Sequence, residues 1–487
     1  MLLLSIIVPV LLGLGILLAR EIKSRTVLLA VTGAGLAAGV LLSLGVIFGG
    51  ETELFLFSFG KNLELYFHAD SMGRLFAAVV DLVWLLSGFY AFGYMKHEQE
   101  EKRFFGFYVM VLGILHGLTF SGNMVTFYLF YELMTLLSVP LILHNRSKEA
   151  IQGGLKYLFY SLFGAYMVLF GLFFLNRYAD SLAFLPGGTL NMDAVAGNEA
   201  LMLVVAFSMI IGFSVKAGMF PLHAWLPTAH PVAPAPASAV MSGIIVKMGV
   251  LGMIRVVYYL VGADFLRGTW VQTTWMILAL ATVFMGSMLA YREKIMKKRL
   301  AYSTVSQASY ILFGLSLLQP EAMTGALLHV VFHAIIKSCL FLSAGTIIFK
   351  TGKTNVTDLR GIGKEMPIAI WCYTLASAAL IGIPPASGFI SKWYLATGAL
   401  SSGIEVFSWL GPVVLLVSAL LTAGYLLPIT VGGFLPGADY DYTSLEKKEP
   451  ALVMLLPLLI LAALAVLLGL LPNPLTDHIT GIVAGVL

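Results

Sequence analysis

Long apolar runs, each closed by a short polar cluster, recur from one end of the chain to the other. Most have the length, roughly 17 to 25 residues, that crosses a bilayer as an α-helix. Reading a helix from each run predicts fourteen, near residues 2–19, 26–48, 71–94, 104–120, 124–143, 151–175, 200–219, 236–260, 272–290, 303–319, 322–349, 367–400, 408–432 and 451–472. The seventh and twelfth are expected to be broken, because FPLHAWLP closes one and IPPASGF interrupts the other. No linker separates soluble parts, so residues 1–487 read as one transmembrane domain of an all-α polytopic protein. The first run, Leu2 to Ala19, has no basic residue before it and no small-residue cleavage site after it, and is read as a retained helix rather than a leader.

Composition agrees with the pattern. Of 487 residues, 59% are hydrophobic and 11% charged, whereas about a quarter of a soluble domain is charged. A soluble enzyme and a nucleic-acid partner are both excluded. Cys339 and Cys372 are the two cysteines; an iron–sulfur cluster needs about four ligands, so none fits within this chain. With no cofactor motif either, the chain is expected to bring no cofactor and no metal of its own.

The loops assign an orientation. Those after odd-numbered helices hold 19 lysines and arginines, those after even-numbered helices only Lys61, Arg177 and Arg267. The basic side faces the cytoplasm, which puts both termini on the non-cytoplasmic side of a prokaryotic inner membrane. Seven basic residues remain inside helices: Arg74, Lys156, Lys216, Lys247, Arg255, Lys337 and Lys392. Arg74, Lys156 and Arg255 lie near helix ends and are expected to snorkel to the interface. The other four, with Glu132 and Asp81, sit at depth.

A charge at mid-bilayer costs at least ~2.5–3.5 kcal/mol and usually marks an ion path. Lysine suits a proton path because desolvation brings its amine into the range that exchanges protons near neutrality. Lys216, Lys247, Lys337 and Lys392 on four helices, with Glu132 on a fifth, favour a relay over chance ion pairs. His329, His333 and Lys337 are spaced i, i+4, i+8 on one helix face and extend it. His223 and His230, on the loop after the seventh helix, are candidate gates, with a capping or surface role as the alternative. His116 reads as a satisfied core histidine, and Asp81 receives no role. Lys216 and Lys392 are 176 residues apart, five helices along, each beside a break. Five spans reverse orientation on repetition, so 104–260 and 272–432 are expected to form inverted repeats, flanked by 2–94 and 451–472. The same shift carries Glu132 to Ala308, so the second repeat lacks the acid.

Four segments taken together resemble the antiporter-like subunits shared by respiratory complex I, membrane-bound hydrogenases and Mrp cation/proton antiporters. They are LFYELMTL around Glu132, VKAGMFPLHAWLPTAHPVAPAPASAVMSGIIVKMG, LLHVVFHAIIKSCLFLSAG and GIPPASGFISKW. The match covers the fourth to thirteenth helices, and the flanking ones in hydropathy alone. The resemblance implies fourteen helices with two inverted repeats and a central polar axis. It also implies pairing of Glu132 with Lys216, and a proton line through Lys247, His329, His333 and Lys337 to Lys392. Because the chain ends soon after its last span, it is more similar to the D-type subunit of Mrp than to subunits with a long lateral helix. Partners would be other membrane subunits, related ones among them, and the cargo protons, with sodium as the alternative. Whether the complex is an oxidoreductase or an antiporter stays open. A purely structural subunit and a stand-alone carrier are the competing classes; quinone or haem redox within the chain is the weakest reading.

Overall fold

In the computed structural model of the chain, residues 1–60, 62–437, 440–441 and 446–487 are described; Lys61, counted above among the loop cations, lies outside them. Helices dominate. The long ones are α1 Leu2–Leu18, α2 Arg25–Phe48, α3 Ser71–Tyr94, α4 Glu101–Thr119, α5 Met124–Ile142 and α6 Lys148–Tyr178. After α7 Glu199–Ala217 comes the short α8 Leu226–Val232, then α9 Ala235–Val261. The chain continues through α10 Trp270–Arg292, α11 Met296–Ser316, α12 Pro320–Thr351, α13 Pro367–Ile381, α14 Ser387–Leu400, α15 Glu405–Phe434, α16 Leu452–Leu470 and α17 Asn473–Ala484. Among the described residues ten helices are long and apolar enough to cross a membrane.

Local chemistry sets several boundaries. Asp70, Asn123 and Ser147 cap α3, α5 and α6, each accepting a backbone N–H of the first turn. The two breaks come where expected: α7 stops at Gly218 (φ +80°) and α13 at Gly382 (φ +94°), left-handed positions that only glycine adopts freely.

Four expectations need correction. The chain is not all-α: β1 Glu53–Gly60 and β2 Leu63–His68 form an antiparallel hairpin, Glu53 opposite His68 and Ser58 opposite Glu64. It is tied to the α4–α5 turn by His68 N–H to Phe120 O and Gly122 N–H to Tyr66 O. Next, α11 starts at Met296 rather than near 303, so Lys297 and Arg299, counted as loop cations, are helical and 6% and 8% exposed. This helix is too polar to read as an apolar run, because its serines, Thr304 and Gln307 face protein rather than lipid. The stretch after α16, which none of the fourteen predicted helices covers, is a helix packed on α12. Lastly, Arg255 does not snorkel: it is 1% exposed and ion-paired with Asp70 at 2.5 Å.

Burial identifies the centre. The membrane windows of α9 and α12 are wholly enclosed by protein, against 39% for α2, which faces lipid. Polar groups on α9 and α12 therefore meet other helices and not hydrocarbon. Those two helices carry Lys247, His329, His333 and Lys337.

Candidate functional site

Lys216 sits in the last turn of α7, where the helix dipole favours a cation. It is 1% exposed, and its Nζ donates to Thr135 Oγ1 (2.8 Å), Ser161 Oγ (2.8 Å) and Tyr157 Oη (3.1 Å). The ammonium also lies over the Tyr157 ring, 4.5 Å from its centroid. The implied ion pair with Glu132 is not formed: among the described residues no bridge within 4.0 Å joins them. Thr135, one turn along α5 from Glu132, takes that place. Glu132 is partly buried beside it, with Oε1 lacking a hydrogen-bond partner among the described residues.

Lys247 comes next. A Cβ at Gly249 would stand 2.7 Å from Phe213 O, 2.9 Å from Ala217 N and 3.0 Å from Lys216 Cβ, so glycine lets α9 pack against the backbone of α7 beside Lys216. The α9 helix is widened into π turns at Met241–Ile245 and Arg255–Val261, flanking the lysine; such bulges are frequent at functional sites. Lys247 Nζ reaches back to Ser242 O (2.6 Å) and meets His333 Nδ1 in a direct hydrogen bond.

From there the row continues along α12. The His333 and His329 rings stack at 5.7 Å, and His329 Nδ1 hydrogen-bonds Ser391 Oγ at 2.9 Å. The Tyr310 ring stacks on His329 at 5.5 Å, and Lys392 Nζ lies 5.1 Å from the centre of that tyrosine ring. Lys392 donates to Leu380 O (2.6 Å) and Ile381 O (2.9 Å), the last carbonyls of α13 exposed by the break. The structure thus brings Lys247, His333, His329 and Lys392 into one row, with Lys216 in a separate pocket on α7, which packs against α9 at Gly249. Lys337 stands to the side, donating to Leu300 O at 2.9 Å.

The two loop histidines part company. His223 is half-buried and stacks on Phe220 at 6.0 Å. His230 is not on a loop: it lies in α8, 0% exposed, its ring stacked on Phe341 at 4.5 Å.

One buried pair escapes a reading of the sequence. His116 Nε2 meets Asp81 Oδ1 at 2.7 Å, and His116 Nδ1 donates to Ser5 O at 2.9 Å. Because a carbonyl can only accept, Nδ1 carries a proton, and the Nε2–Oδ1 contact holds one more. The pair is net neutral, which limits the cost of burying it. Its signal is an acid in mid-span that must find a partner. Among the described residues no three His, Cys, Asp or Glu side chains converge as metal ligands.

Known proteins share this framework. Residues 121–430 match the family model for the transmembrane part of NADH:quinone oxidoreductase and Mrp antiporters, and residues 56–105 that for the N-terminus of complex I chain 5. The similarity therefore reaches into the flanking helices, beyond hydropathy. NADH-quinone oxidoreductase subunit N of Desulforudis audaxviator is 31% identical over 79% of this chain and 77% of its own length. The D-type Na(+)/H(+) antiporter subunit of Alkalihalophilus pseudofirmus is 28% identical over 98% and 94%. In fold, a chain of the Mrp complex from Dietzia superposes with a TM-score of 0.85 at 23% identity, covering 100% of this chain and 97% of that one. On the family match across its central helices and the identity to the oxidoreductase subunit, this chain belongs to the family of membrane subunits that NADH:quinone oxidoreductases and Mrp antiporters share.

Proposed function

We propose that the chain is an ion-translocating subunit of a multisubunit membrane complex, and that it moves protons along Lys216, Lys247, His333, His329 and Lys392. The observation that carries this reading is the close row from Lys247 to Lys392, joined by the Lys247–His333 hydrogen bond and then by ring contacts through His329 and Tyr310, on the two wholly enclosed helices and their neighbours. Buried amines and imidazoles within reach of hydroxyls and of one another suit proton transfer. Glu132 tunes Lys216 by charge through the intervening Thr135 rather than by contact. The chain supplies no cofactor in this reading, so the driving energy comes from partner subunits, as a redox reaction or as an opposing cation gradient.

The same reading counts fourteen spans: the ten long apolar helices, together with α1, α4, polar α11 and the broken pair α13/α14. It treats 104–260 and 272–432 as inverted repeats, supported by the matching glycine-ended breaks beside Lys216 and Lys392. The excess of Lys and Arg in odd-numbered loops supports a prokaryotic cytoplasmic membrane with both termini on the non-cytoplasmic side.

The test is proton movement by the intact complex reconstituted in vesicles, followed with a pH-sensitive dye. Lys216→Ala should slow it at least about a hundredfold, the lower end of the range that removal of a proton-transfer group produces. Undiminished movement would leave the chain a structural subunit.

A further inference from the structure

Lys337 belongs to the enclosed face of α12 but stands outside the Lys247–His333–His329–Lys392 row. Its surroundings lead outward, toward the face that carries the basic loops. Its amine lies 6.0 Å from the centre of the Phe341 ring, on which His230 is stacked at 4.5 Å. Both ring nitrogens of His230 are buried and have no hydrogen-bond partner among the described residues. An imidazole so placed is unusual, because buried polar groups are almost always bonded. Beyond it comes Lys297, buried in the first turn of α11, whose Nζ donates to Ala233 O at 2.7 Å, three residues from His230. Lys297 and Lys337 both lie within electrostatic reach of His230. Glu98, on the partly exposed segment after α3, is within electrostatic reach of Lys297. Leu300 O, which holds Lys337, lies one helical turn from Lys297 on α11. Glu98, Lys297, His230 and Lys337 thus run from the surface to the centre.

We infer that Lys297 and His230 form a proton inlet from the basic-loop face to Lys337, joining the row one helical turn from His333. The inference rests on the proposed proton row and adds a branch to it. Lys297 would take a proton at the rim, His230 would pass it inward with its unpartnered nitrogens, and Lys337 would deliver it toward His333. The chemistry requires a group at 297 that can lose its proton, not merely one that fills the site or bonds Ala233 O.

Arginine separates these roles. Its guanidinium keeps the charge and the donor but does not deprotonate. In vesicles holding the intact complex, proton uptake from the basic-loop face is followed with a dye on that side, and assembly by co-purification of the subunits. Lys297→Arg and Lys297→Gln should both slow uptake about a hundredfold while the complex still assembles. His230→Asn, which leaves the Lys297–Ala233 bond in place, should do the same. Uptake at the wild-type rate in Lys297→Arg, or in His230→Asn, would overturn the inlet. Lys216→Ala in the same preparation keeps the two ideas apart: if it leaves translocation intact, the row itself fails, whatever the inlet variants do.

Discussion

Replacing Lys247 with methionine should stop translocation, by about a hundredfold or more, while the complex still assembles. Lys247 hydrogen-bonds His333 from the helix that packs beside Lys216, and it is 1% exposed. Among the described residues no other titratable side chain hydrogen-bonds His333. Protons entering by way of Lys337 still reach His333, but without Lys247 the Lys216 end, with its three hydroxyls, can no longer drive the histidine pair, so turnover stops. Methionine keeps most of the side-chain volume and removes a cation that was costly to bury, so assembly should not suffer. Lys247→Arg should fail as badly, because it retains charge without releasing a proton near neutrality. Proton movement in reconstituted vesicles measures both. Transport at the wild-type rate in the arginine variant would mean that the position needs only a fixed positive charge.

The largest effect on stability is expected far from the row. Arg255 and Asp70 form a bidentate pair at 2.5 and 2.7 Å, and the guanidinium lies 4.7 Å from the centres of both the Phe184 and Tyr259 rings. Asp70→Ala strands that guanidinium in the protein interior, which costs about 3–5 kcal/mol, and removes the N-cap of α3, about 1 kcal/mol more. Asp70→Asn keeps the cap and should fall between. By contrast, breaking the partly exposed Lys298–Glu293 bridge with Lys298→Ala should cost less than about 1 kcal/mol. Thermal unfolding of the purified complex ranks the variants; equal transitions for Asp70→Ala and wild type would refute the argument. The pair also gives a pH sign. Burial pushes the Asp70 carboxyl up, but the Arg255 charge and hydrogen bonds outweigh it and hold it below the ordinary carboxylate value. Its contribution is therefore complete at neutral pH and is lost only as pH falls below that ordinary value, toward the lower folded one.

Much of the site can be read from one dimension, because a charge in an apolar run is conspicuous without any knowledge of its neighbours. Lys216, Lys247, Lys337 and Lys392 stand out that way, and Pro and Gly announce the breaks after Ala217 and Ile381. What surrounds each amine is not legible. Thr135, Tyr157 and Ser161 lie 81, 59 and 55 residues from Lys216, and no spacing rule links them. Asp70 and Arg255 are 185 residues apart, which is why Arg255 reads as an interfacial residue until its partner is seen. The polar start of α11 misleads for a related reason: hydropathy assumes that a membrane helix meets lipid, and this one meets protein. The hairpin has a signal, an aromatic and aliphatic run between Gly50 and Gly60, but it is far shorter than a span and passes for a loop.

The claim on which the rest depends is that Lys216 to Lys392 act as one line with a far end. Lys392 holds the last carbonyls of α13 and opens on a cavity of about 230 Å³ lined by Gly382, Trp393 and Leu416. In a single turnover of the reconstituted complex, dyes on both sides of the vesicle membrane can follow uptake on one face and release on the other. With Lys392→Met, uptake should persist while release slows at least about a hundredfold. Release at the wild-type rate in that variant would contradict the account.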